Sequence, residues 1–160
     1  MEILSIKLEF PEGTNIIVGQ THFIKTVEDI YEIMVTSVPG AKFGIAFSEA
    51  SGPCLIRYDG NDETLIQVAI SNCQNLAAGH IFALVMRDAY PINVLNSIKQ
   101  CPEVCSIYCA TANPVEMIVA RSNKGCGILG VIDGFSPKGV ESAPDQEQRK
   151  QFLRKIGYKR

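Results

Sequence analysis

At 160 residues the chain has the length of one domain. Apolar residues make up 46% and charged residues 20%, which supplies a sizeable core and sets aside the disordered and membrane-embedded classes. The formal net charge of −2 gives no bulk attraction for a phosphate backbone, so no nucleic-acid partner is expected and a bound nucleotide needs a local set of donors.

The segment from Met1 to Phe10 lacks the positive and apolar regions of a signal peptide, and no run approaches the roughly 18–20 apolar residues of a membrane span. A cytoplasmic location without membrane contact is expected. In that compartment the six cysteines are expected to be reduced, packed as small hydrophobes rather than joined as disulfides.

Glu2 to Phe10 alternates and predicts a strand with one buried face. Pro11 to Asn15 is a turn, and Ile16 to Gln20 a short strand. Thr26 is expected to cap a helix over 27–38, with Glu28, Asp29 and Glu32 towards its positive end and Pro39-Gly40 stopping it. Lys42 to Ala50 and Pro53 to Tyr58 predict an antiparallel hairpin. Asn61 or Asp62 then caps a helix over 63–77, with Gly79 as its left-handed stop.

His80 to Asp88 is apolar without alternation, the pattern of a central strand buried on both faces. Pro91 starts a helix that Pro102 ends. Strands are predicted over 104–111, 115–120 and 128–132. A polar loop from about Ser136 leads to a charged helix over 146–156 with little apolar face. The expected architecture is a mixed α/β (α+β) single domain over 1–160, a mixed sheet covered by helices.

Gly125 to Gly130 matches G-x-G-x-x-G, but the dinucleotide fingerprint must open a helix, and these glycines precede a strand. No P-loop motif occurs. Cys101, Cys105 and Cys109 are spaced four apart, yet Pro102 breaks the helix that would align them, no C-x-x-C pair exists, and only two histidines are present. No metal site is expected on that spacing.

His80 opens the central strand after Gly79. Its imidazole is either bonded to a nearby carbonyl or free to act as nucleophile or general base near neutral pH. Arg57 and Arg87, near strand ends, suit phosphate or carboxylate, or else a rim ion pair with Asp59 or Asp88. Asp59 and Asn61, in the D-G-N-D turn before a helix, offer an anion or hydroxyl site, or an ordinary turn and cap. Asn93, Asn113 and Asp133 are polar groups in apolar context. An asparagine can match an adenine edge and Asp133 a ribose or metal; each also fits a turn.

The segments SGPCLIR (Ser51–Arg57), GND (Gly60–Asp62), AGHIF (Ala78–Phe82), YPINVLN (Tyr90–Asn96), PEVC (Pro102–Cys105), CATANPV (Cys109–Val115) and GILGVIDG (Gly127–Gly134) together resemble the adenosine-specific kinase family over nearly the whole chain. The resemblance implies an α/β domain that self-associates, as a trimer, and binds adenosine or AMP in preference to ADP or ATP. It also implies a histidine that carries a phosphoryl group, and the matching position is His80. On this reading Arg57 or Arg87 neutralises the transferred oxygens, while Asn93, Asn113 and Asp133 orient the nucleoside. Magnesium is the one cofactor left open. The alternatives are a non-catalytic adenylate sensor and a structural oligomer.

Overall fold

The computed structural model describes residues 1–160. In chain order the elements are β1 (Glu2–Lys7), β2 (Asn15–Thr21), α1 (Thr26–Ser37), β3 (Lys42–Ser48), β4 (Ile56–Gly60), α2 (Glu63–Leu76), β5 (Ile81–Arg87), α3 (Pro91–Lys99), β6 (Val104–Thr111), β7 (Val115–Ser122), β8 (Gly125–Asp133) and α4 (Ala143–Lys155).

The mixed α/β single domain stands as expected, with its strands divided between two sheets. Three strands run in the order β1-β7-β8 and five in the order β4-β3-β5-β2-β6. Every ladder in both sheets is antiparallel. β5 lies at the centre of the larger sheet, and Ile81 to Met86 are all buried, which is what its unbroken apolar run requires.

Alternation along these strands divides the core in two. Ile17, Phe43, Ile45, Phe47, Phe82, Leu84 and Met86 face α1 and α3, meeting Ile30, Met34, Val94 and Ile98. Ile16, Val18, Ala46, Ala83 and Val85 face the other way, onto Leu65, Ala69 and Cys73 of α2 and Met117 and Val119 of β7. The layers are therefore α1 and α3, the five-stranded sheet, then α2 beside the three-stranded sheet. Gly44 permits the closest of these contacts: a Cβ there would fall 2.2 Å from the Ile66 nitrogen, inside the α2 backbone.

Local details depart from the sequence reading. Thr26 does not cap α1. It is the first helical residue, and its hydroxyl bonds the Phe23 carbonyl at 2.6 Å and the Thr21 hydroxyl at 2.5 Å. Asp62 does cap α2, accepting from the Leu65 N–H at 3.0 Å. The left-handed residue that ends α2 is Ala77 (φ 50°), not Gly79. Gly79 is small for another reason: a Cβ there would lie 2.8 Å from the Ala50 Cβ. Pro53 and Cys54 belong to the turn before β4, and β8 begins at Gly125, so the G-x-G-x-x-G run is strand throughout. α4 buries no residue.

Candidate functional site

β5 carries a distinctive junction at each end. At its start His80 has a left-handed backbone (φ 60°), a conformation that costs energy for any residue with a Cβ and that clusters at functional sites. The neighbouring strands hold it there. Its N–H donates to the Ser48 carbonyl at 2.7 Å, and its carbonyl accepts from the Thr21 N–H at 2.9 Å. The half-buried ring lies on Phe47, with centroids 5.9 Å apart and an interplanar angle of 18°.

Phe47 is also the register partner of Arg57 in β4. Arg57 Nη2 donates to Glu49 Oε2 at 3.0 Å, while its Nε is buried without a partner. Of the two readings open for Arg57, the ion pair is present, with Glu49 from the turn that leaves β3 in place of Asp59. A cavity of about 680 Å³ opens beside this junction, lined by Ser48, Glu49, Cys73, Gly79, Lys124 and Cys126 among others. The Ser48 hydroxyl is buried there without a partner. Burial pushes the Cys73 thiol up to about 12, so this sulfur is a packing group and not a nucleophile at neutral pH. The His80 ring turns to the Phe47 side and is not part of the cavity wall.

The other end of β5 gathers most of the remaining candidates. Arg87 closes the strand opposite Lys42, and Asp88 follows with φ 58°. Asn93, inside the first turn of α3, reaches back to the N-cap residue, its Oδ1 accepting from the Tyr90 N–H at 2.9 Å. Asn113 donates to Asp133 Oδ1 at 3.2 Å, which joins the β6–β7 turn to the end of β8. A cavity of about 670 Å³ is lined here by Phe10, Thr14, Asn15, Tyr90, Ala112 and Pro114. A second hollow of about 530 Å³ shares Asn15 and Tyr90 with it and is closed by Phe152, Ile156 and Tyr158 from the C-terminal segment.

The model of the adenosine specific kinase family matches residues 6–159. The chain belongs to the adenosine-specific kinase family. The crystal structure of the PH1918 protein from Pyrococcus horikoshii OT3 has a TM-score of 0.95 to this chain and is 45% identical to it, covering 99% of this chain and 98% of that one. No curated protein gives a significant match.

In this adenosine-specific kinase family member the sequence-derived candidates fall into two groups. His80 and Arg57 adjoin one ring, that of Phe47. Arg87, Asn93, Asn113 and Asp133 sit at the opposite end of β5, and seven residues at about 3.3 Å each separate His80 from Arg87 by roughly 23 Å. One nucleoside cannot touch both groups within a single chain. Asp59 and Asn61 form neither group. Asp59 Oδ1 accepts from the Gly60 N–H at 2.7 Å. Asn61 uses both ends of its amide on backbone, the Phe43 N–H at 2.9 Å and the Ala41 carbonyl at 2.8 Å.

Sequence reasoning passed over Tyr90, Asn15 and Thr111, which line the second end. Tyr90 carried a usable signal, an aromatic placed just before a helix-starting proline, and it is 60% exposed. No helix is long and apolar enough to cross a membrane.

Proposed function

We propose that this family member binds adenosine or AMP and moves a phosphoryl group through a phosphohistidine at His80. A ring nitrogen attacks the phosphorus of a donor, the N–P bond forms, and the donor's P–O bond breaks with its electron pair leaving on oxygen. In the second half the 5′-hydroxyl oxygen of adenosine attacks, the N–P bond breaks, AMP forms, and the hydroxyl proton passes to water. Positive charge beside the phosphoryl oxygens stabilises the transition state, and Arg57 supplies it.

The observation that carries this reading is the His80–Phe47–Arg57 group. A strained backbone presents an imidazole that rests on the Phe47 ring, and Arg57, the register partner of Phe47 in β4, keeps a buried N–H unused. Tyr90, Asn113 and Asp133 offer a stacking face and polar groups for adenosine at the other end. The two ends cooperate if a neighbouring chain presents its nucleoside end to this chain's histidine. Exposed Ile3, Leu129 and Ile132 on the three-stranded sheet offer an apolar surface for self-association, in keeping with a homotrimer.

The test has two parts. A thermal-shift series with adenosine, AMP, ADP and ATP, with and without magnesium, should raise the melting temperature for the first two, since a ligand of the folded state stabilises it. Labelling with a phosphoryl donor should give an acid-labile, alkali-stable adduct that His80→Gln abolishes while the AMP shift survives. Label that persists on His80→Gln ends the assignment. A shift with no label in the wild type leaves the adenylate sensor. Mixing His80→Gln with Asn113→Ala chains should restore AMP formation from adenosine and the donor if the site is shared between chains.

A further inference from the structure

Away from both cavities, three side chains distant in sequence converge. Asp29 lies in α1, and Cys101 and Glu103 lie in the turn between α3 and β6. A carboxylate oxygen of Asp29, the Cys101 sulfur and a carboxylate oxygen of Glu103 all lie within 4.8 Å of one another. Glu103 is only 3% exposed, and its Oε1 is buried without a hydrogen-bond partner. Its main chain is fixed, the carbonyl accepting from the Thr21 hydroxyl at 2.9 Å and from the His22 N–H at 3.0 Å. Glu103 faces the Asp29 carboxyl, and two carboxylates brought together in a buried place need a cation or a shared proton between them.

We propose that Asp29, Cys101 and Glu103 bind a divalent transition-metal ion of the zinc type. Sulfur argues against magnesium and calcium, which take oxygen donors, while zinc accepts thiolate and carboxylate together. Three protein ligands plus one water make a four-coordinate site. A groove of about 410 Å³ between α1 and α3, lined by Asp29, Ser97, Gln100 and Cys101, reaches two of the three ligands from solvent. As the metal–sulfur bond forms, the thiol proton passes to solvent. Three anionic ligands on a dication leave one negative charge, which the Lys25 ammonium, bonded to Asp29, offsets.

The site has a structural consequence. Thr21 bonds the Glu103 carbonyl through its hydroxyl and the His80 carbonyl through its N–H. A metal that ties α1 to the α3–β6 turn therefore steadies the strand end against which His80 is held. The proposal is independent of phosphoryl transfer, and its failure would leave that reading untouched.

Metal-free protein titrated with cobalt(II) alone should take up one equivalent and develop a sulfur-to-cobalt charge-transfer absorption, which zinc then displaces. Cys101→Ser should remove that absorption. Glu103→Gln should weaken cobalt binding by at least the roughly tenfold that loss of even an outer-shell partner costs. Cys54→Ser, at an exposed thiol in the turn before β4, should change neither, and thermal melts monitor folding of each variant. No uptake, absorption that survives Cys101→Ser, or unchanged affinity in Glu103→Gln would each overturn the site. In those cases the two carboxyls share a proton instead.

Discussion

Asn72 and Glu9 exchange a matched pair of hydrogen bonds. The Glu9 N–H donates to Asn72 Oδ1 at 2.9 Å, and Asn72 Nδ2 donates to the Glu9 carbonyl at 2.7 Å. Asn72 is 1% exposed within α2, and Glu9 lies just beyond β1. One side-chain amide thus replaces the strand partner that the chain loses on leaving the three-stranded sheet, and it anchors that sheet to α2. Asn72→Leu preserves size but strands both Glu9 backbone groups. It should cost about 1–3 kcal/mol in denaturant unfolding, with accelerated hydrogen exchange at Glu9. Unchanged exchange there would show that water takes over the amide's role.

The thiols should separate by burial. Burial pushes Cys73 up to about 12 and Cys109 up to about 11. Cys101 is pushed up to about 11 by burial and then by the negative charges of Glu103 and Asp29. Cys54 and Cys105 are exposed. Because the thiolate is the reactive species, an aromatic disulfide reagent at mildly alkaline pH should modify Cys54 and Cys105 first in metal-free native protein. Cys73 should react only on unfolding. Peptide mass mapping over time checks the order, and early modification of Cys73 would contradict its packing beneath β3.

Acid should release α4 before the rest of the domain. The Ser142 hydroxyl and N–H hold the Asp145 carboxyl below its usual range, and Arg149 does the same for Glu141. Depressed values mean that these bonds stabilise the helix above the ordinary carboxylate range and are lost as pH falls through the folded values. Since α4 buries no residue, it should fray below about pH 4 while the core persists. Backbone NMR across residues 143–155 reads this directly, and a helix intact well below that pH would refute it.

What the sequence made legible was local. The apolar run of β5, the Asp62 cap and the proline that starts α3 each depend on a few neighbouring residues, and all are present in the fold. The strand order was not legible, since β5 pairs with β2 and β3 across long intervals that no periodicity encodes. The left-handed position at Ala77 escaped because glycine is the usual signal, and Gly79 is reserved for its contact with Ala50. Asp29, Cys101 and Glu103 escaped for a related reason. Four-residue spacing drew attention to Cys105 and Cys109, while the chain brings Cys101 to a carboxylate on another helix. Residue type alone carries no distance, which is why His80 and Asn113 looked like one site.

The two arginines should separate when phosphorylation is driven by a small donor that carries no nucleoside. Arg57 adjoins Phe47, on which His80 rests, and keeps a buried Nε unused. Arg57→Lys retains the charge but loses that N–H and the planar fork. Its pair with Glu49 is part-buried, so losing the guanidinium hydrogen bond while keeping the charge should cost about 1–2 kcal/mol. The rate of His80 labelling should nevertheless fall by about tenfold or more, the weight of one charge-assisted hydrogen bond of roughly 1.5–3 kcal/mol. Arg87→Lys, roughly 23 Å from His80, should leave that rate within about twofold and act on AMP affinity instead. The reverse pattern, slow labelling in Arg87→Lys with Arg57→Lys unaffected, would place the phosphoryl-binding guanidinium at the nucleoside end and remove Arg57 from the mechanism.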